Sequence, residues 1–168
     1  MNKIVKLSIC MLMSMLLSQA AQAQYKTAVG LRLGYPTSAS IKYFANESLA
    51  FEAYVGTRGF GTYRWNNVSA ALQVHRPLDI IDEIEGLNYY FGAGATIFFW
   101  SFEGFTGTGF GTTTLGVQGY LGLDYAFEDV PINLSVDWIP TVFVGDSFTT
   151  GFGGGYGTLA IRYILGRD

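Results

Sequence analysis

"INLSVDWIPTVFV" (132–144) sets Ile132, Leu134, Val136 and Trp138 on one phase and Asn133, Ser135 and Asp137 on the other. Strict alternation predicts an extended strand with two unlike faces. The same pattern recurs along most of the chain. "YKTAVGLRLGY" (25–35) sets Val29, Leu31 and Leu33 against Gly30, Arg32 and Gly34, and "SASIKYF" (38–44) sets Ile41 and Tyr43 against Ser40 and Lys42. "SLAFEAYVG" (48–56) and "NVSAALQVH" (67–75) continue it. "LNYYFGAGATIFF" (87–99) keeps Asn88, Gly92, Gly94 and Thr96 on one face. "TLGVQGYLGLDYAF" (114–127) and "YGTLAIRYIL" (156–165) complete a set of eight predicted strands, and an even number lets both ends of a closed barrel lie on one side.

Composition points to where such strands sit. The 168 residues include 22 glycines, 16% aromatics and only 14% charged residues. A soluble domain carries about 25% charged residues. Past the N-terminus no apolar run approaches the roughly 20 residues of a membrane helix. Lipid leaves no unpaired backbone group in place, so an apolar chain without a spanning helix must close as a β-barrel. The N-terminus itself reads as a secretory signal peptide over 1–23. Lys3 and Lys6 precede the apolar core "LSICMLMSMLL" (7–17), and "AQA" (21–23) supplies the small residues before a cut ahead of Gln24. Residues 24–168 then form one domain without cysteine. The formal charge of −3 and the lack of a basic cluster argue against nucleic acid.

A soluble ligand-binding barrel has the same period with its apolar face inside. Two features favour the opposite orientation. The polar phase carries Arg32, Lys42, Glu52, Asp124, Asp137 and Arg162, three of each sign, which can pair across a narrow lumen. One basic residue facing lipid at mid-membrane would instead cost about 2–4 kcal/mol. Tyr43, Tyr89, Tyr125 and Tyr163 fall on the apolar phase near one predicted rim, where amphipathic rings form a girdle at headgroup depth. The expected interior also holds Tyr54, Tyr90, Tyr120, Gln73 and Gln118.

With both ends in the periplasm, "ANE" (45–47), "RPLDIIDEIEG" (76–86) and "EDVP" (128–131) are the inner turns. Asp79, Asp82, Glu83 and Glu85 cluster in the second but lack the alternate-ligand-plus-glycine spacing of a calcium loop. The outer connections are a tight turn at "PTS" (36–38) and three longer segments, "TRGFGTYRWNN" (57–67), "WSFEGFTGTGFGTTT" (100–114) and "GDSFTTGFGGG" (145–155). In the second of these, Gly104 and Gly109 mimic a phosphate loop, yet Phe110 stands where that loop needs lysine. Phe60, Phe105, Phe110, Phe148 and Phe152 lie in the three long segments and are the expected contact residues of the outer surface. Pro140 lies inside a predicted strand, which implies a bulge or the start of an outer extension there.

The chain resembles the small eight-stranded outer-membrane barrels of the OmpA/OmpX type, in the form of Bacteroidota-like outer membrane protein β-barrel domains. The resemblance is carried by "AQAQ" (21–24), "HRPLDI" and "EGLNYYFGAGA" within 75–95, "VPINLSVDWIPTVFV" (130–144) and "GTLAIRYIL" (157–165). It implies an all-β, eight-stranded antiparallel up-and-down transmembrane barrel in a bacterial outer membrane. It also implies a final strand read by the barrel-assembly machinery, although the tail "GRD" (166–168) replaces the closing aromatic of many members. The expected partners are outer-membrane lipid and lipopolysaccharide, the assembly machinery during insertion, and a surface or envelope protein.

No cofactor or metal is expected. The sole histidine, His75, has no serine two places on and no oriented partner, so it reads as a polar interior or rim residue and the chain as a non-enzyme. The leading expectation is a structural or surface-interaction barrel whose lumen is plugged by polar side chains. A narrow channel for small solutes is the alternative, and an outer-membrane lipid-modifying enzyme is a remote one.

Overall fold

A computed structural model of the chain describes residues 25–60, 63–78, 86–102, 110–145 and 151–166. The expected signal peptide and the acidic cluster Asp79, Asp82, Glu83 and Glu85 lie outside the described residues. Eight strands run in chain order: β1 (Thr27–Gly34), β2 (Thr37–Phe44), β3 (Leu49–Phe60), β4 (Tyr63–Pro77), β5 (Leu87–Phe102), β6 (Phe110–Ala126), β7 (Ile132–Val144) and β8 (Gly151–Gly166). Each pairs antiparallel with the next, and β1 pairs with β8, so the sheet closes. The seam runs from Val29 opposite Tyr163 to Leu33 opposite Leu159. Lys26 N–H donates to the Gly166 carbonyl at 2.9 Å, which holds both ends of the described chain at one rim.

The two faces are sorted as in no soluble domain. In β2, Thr37, Ala39, Ile41 and Tyr43 are exposed, while Ser38, Ser40, Lys42 and Phe44 are buried. The same inversion holds around the ring. Leu31, Phe51, Val68, Leu121, Val136 and Ile161 face outward, and Arg32, Glu52, Ser69, Gln118, Asp137 and Arg162 face inward. So large a continuous apolar exterior fits lipid and not water. Closure leaves no free edge, which satisfies the backbone in hydrocarbon.

The strands outrun the sequence-based expectation at the end away from the termini. Segments 57–60, 63–67, 100–102, 110–114 and 151–155, expected as loop, are strand. Glycine and threonine there read as turn formers, yet each segment has a neighbouring backbone to pair with. Phe60 pairs with Tyr63, and Phe102 with Phe110. Strands β4 to β6 are therefore 15 to 17 residues long, against 8 for β1 and β2. At about 3.3 Å per residue, one side of the barrel rises well above the other.

Pro140 interrupts the β6–β7 ladder, whose pairing passes from Gln118 opposite Thr141 to Leu121 opposite Trp138. Proline has no N–H to give. Gly119 makes room for its ring, since a Cβ there would lie 3.2 Å from Pro140 Cγ. The bulge falls one residue later. Thr141 faces Gly154 and Val142 faces Phe152, which leaves Gly153 as the extra residue in β8.

Candidate functional site

The barrel interior is layered. At the terminal end Tyr25, Phe44, Ala126 and Ile164 form an apolar cap. Above it lies a network of the six charged side chains, which alternation on β1, β2, β3, β6, β7 and β8 turns inward. Glu52 is its centre. Its carboxylate accepts from Arg32 at 2.7 Å, from Gln73 at 2.8 Å and from Arg162. Asp137 accepts from Arg32 at 2.7 Å and from the hydroxyls of Tyr90 and Thr158. Asp124 accepts from Lys42 at 2.9 Å and from Asn133 at 2.7 Å. Arg162 also donates to Ser40, Ser135 and Asn133. The remaining faces of the cations rest on rings, with Arg32 4.8 Å from the Tyr54 centroid and Lys42 4.6 Å from that of Tyr90.

Three cations thus meet three anions, with essentially no exposure. Buried charge is tolerated only when it is paired and its residual donors and acceptors are filled. The hydroxyls, amides and rings around the six charges supply that. A further belt of Tyr54, Tyr120, Gln118 and Thr141 is joined by mutual hydrogen bonds, including Tyr54 to Gln118 at 3.0 Å and Tyr120 to Gln118 at 2.9 Å.

His75 is buried among side chains. Its ring stacks on Tyr90 at 4.7 Å and meets Phe44 edge-on at 4.8 Å, and Nε2 lies 3.4 Å from Gln73 Oε1. Among the described residues its hydrogen-bond partner is thus an amide and not an acid that would orient it as a base. Tyr43, Tyr89 and Tyr163 are exposed on the outer face, and Tyr125 is half-buried against Phe127 at 4.7 Å. The ladder puts Tyr43 opposite Thr27, Tyr125 opposite Leu87 and Tyr163 opposite Ile132, close to the terminal rim. Of the five phenylalanines expected at the outer surface, Phe152 is 69% exposed on β8. Phe105 and Phe148 lie outside the described residues, as do the side chains of Phe60 and Phe110.

Sequence reading missed the far end of the lumen. Trp65, Phe98, Trp100 and Phe143 form an inward aromatic cluster there, with Tyr63 and Phe102 packed against it. The signal was present in the phase of β5, where Phe98 and Trp100 follow Thr96 on the same face. Trp65 and Trp100 lie in the segments expected as outer connections, 57–67 and 100–114, where no alternation is read. Asn133 and Ser135 lie inward as their polar phase implies, and with Thr158 their polar groups complete the shells of Asp124, Arg162 and Asp137.

A closed eight-stranded antiparallel barrel, apolar outside and charge-paired within, is the architecture of the small transmembrane barrels of outer membranes. Among solved structures the chain is similar to two of these. One is the N-terminal β-barrel domain of Pseudomonas aeruginosa OprF, with a TM-score of 0.58 and 14% identity over 81% of this chain and 91% of that one. The other is Neisserial surface protein A (NspA), with a TM-score of 0.60 and 14% identity over 83% and 93% of the two chains. At this identity the likeness is one of fold. No family model and no curated protein sequence matches the chain.

Proposed function

We propose that the protein is an integral barrel of a bacterial outer membrane that acts through its surface, with its termini in the periplasm and its tall end outside. The observation that carries this reading is the pairing of all six lumen charges with one another beneath a rim of long aromatic-lined strands. Groups that neutralise each other in the lumen are spent on holding the barrel together, which leaves the outer end to meet partners. Those partners are lipopolysaccharide at the rim and a surface or envelope protein at the loops, and the assembly machinery reads β8 during insertion. No enzymatic step is assigned.

Deletion of 104–109 removes only residues between the end of β5 and the start of β6. The shortened chain is expected to fold and to lose envelope proteins that the full chain captures in pull-downs from solubilised envelopes. Recovery of the same proteins by both chains would remove this loop from the proposed role.

A narrow solute path is the second reading, favoured by the β6–β7 ladder break at Pro140. An eight-stranded barrel is just wide enough for side chains to fill. The refolded protein in planar bilayers is therefore expected to give no steady conductance. Regular openings that scale with salt would overturn the plugged lumen and establish the channel.

A further inference from the structure

We propose that the mouth of the barrel away from the termini binds an acidic sugar, a saccharide ring bearing a carboxylate. The proposal rests on the reading that this end faces outward. The low lip of the barrel lies between β1 and β2, where Tyr35 is 36% exposed. Its ring stacks on Tyr156 at 5.3 Å and tilts against Trp65 at 5.4 Å. The Tyr156 hydroxyl donates to the Gly153 carbonyl at 2.9 Å, so that ring is held in place. Across the mouth Tyr63 stacks on Trp100 at 5.8 Å. The surface is an aromatic platform sunk below a tall wall.

Three polar features say what the platform takes. The Arg58 guanidinium lies 3.9 Å over the Tyr35 ring and is exposed. It makes no ion pair or hydrogen bond among the described residues. The described carboxylates are spent in the lumen (Glu52, Asp124, Asp137) or stand at the terminal end (Glu47, Glu128, Asp129). A guanidinium resting over a ring face keeps N–H donors for a planar anion. Beneath it, the indole N–H of Trp65 is buried without an acceptor, and the side-chain carbonyl of Asn67 is buried without a donor. These two residues follow each other on the inward face of β4. A hydroxyl group accepts and donates at once, and so can serve both.

Other ligand classes fit less well. An acyl chain would cover the rings and leave Arg58, Trp65 and Asn67 unanswered. A quaternary ammonium would meet Arg58 already seated on the ring face it needs. A sugar acid offers an apolar C–H face to the rings, hydroxyls to the buried pair and a carboxylate to Arg58.

The test is calorimetric titration of the full refolded barrel with hyaluronan hexasaccharide, and with chitohexaose as a neutral saccharide of equal ring number. The acidic sugar is expected to bind about tenfold or more tightly than the neutral one, the scale of one charge-assisted hydrogen bond. Arg58→Gln should abolish that preference, bringing hyaluronan binding down to the level of chitohexaose. Trp65→Phe keeps the ring, loses the N–H and should weaken both sugars. Arg58 is exposed, and an unchanged heat-dependent gel shift confirms that its variant folds. Equal affinity for the two sugars, or an Arg58→Gln barrel that still prefers the acid, overturns the proposal. The loop-deletion pull-down is a separate readout. If loop-dependent capture persists while hyaluronan fails to bind, the sugar site falls and the surface role stands. If capture also proves independent of the loop, the sugar site falls and this loop leaves the surface role.

Discussion

Replacing Glu52 by glutamine is expected to lower barrel stability by about 3–5 kcal/mol, the range for removing one partner of a buried ion pair. Glutamine keeps the shape of the side chain and a carbonyl for one donor. It removes the charge that both Arg32 and Arg162 share. The lumen then holds three cations against two anions, all of them buried where charge is poorly screened. Folded and unfolded barrel separate by electrophoretic mobility without boiling, so a urea series in detergent micelles reads the loss directly. The double variant Glu52→Gln/Arg162→Gln checks the cause. It restores two cations against two anions, since Arg32 keeps Asp137 and Lys42 keeps Asp124. It should be more stable than the single variant, because neighbours in one network do not add. A double variant no better than the single one would show that lost packing, and not uncompensated charge, sets the cost.

Gly30→Ala should be as damaging, through sterics alone. A Cβ on Gly30 would lie 2.0 Å from the Ile161 carbonyl oxygen and 2.5 Å from Arg162 Cα. Both are backbone atoms of β8, so no side chain can swing aside. The strands that close the barrel would have to part, and overpacking of this kind costs about 1–3 kcal/mol even where a core can yield. A closed ring has one seam between its first and last strands, and parting it exposes two unpaired edges to lipid. The expected result is a sharp fall in the fraction that reaches the folded band on refolding. Gly157→Ala is the control on the partner strand, since nothing lies within 4 Å of its would-be Cβ. It should refold as well as the parent or better, because glycine in a strand is a weak residue. Equal refolding of the two variants would refute close approach at the seam.

Much of the fold is legible in particular residues. In 38–44 the alternation of Ser40 and Lys42 with Ile41 and Tyr43 states both a strand and its two faces. In 132–144 Asp137 between Val136 and Trp138 does the same. Strand ends are less legible. Gly111 to Thr114 and Gly151 to Gly155 have turn-like composition, yet they pair because β5 and β7 stand beside them. Local propensity loses to an available ladder. The break at Pro140 is legible as an interruption, but the extra residue belongs to β8, at Gly153, where no proline marks it.

The site divides in the same way. By itself the sequence determines that six charges and several phenols and amides point inward, because side-chain direction in a strand has a period of two and needs no partner. Which charge meets which is decided only by closure. Arg32 reaches Glu52 twenty residues on and Asp137 more than a hundred on, and Arg162 reaches back to Ser40. Those distances along the chain vanish only when β1 meets β8. The same closure converts Tyr35, Arg58, Trp65 and Tyr156, scattered over one turn and three strands, into one aromatic mouth. Alternation is a property of one strand, whereas a network or a mouth is a property of the ring.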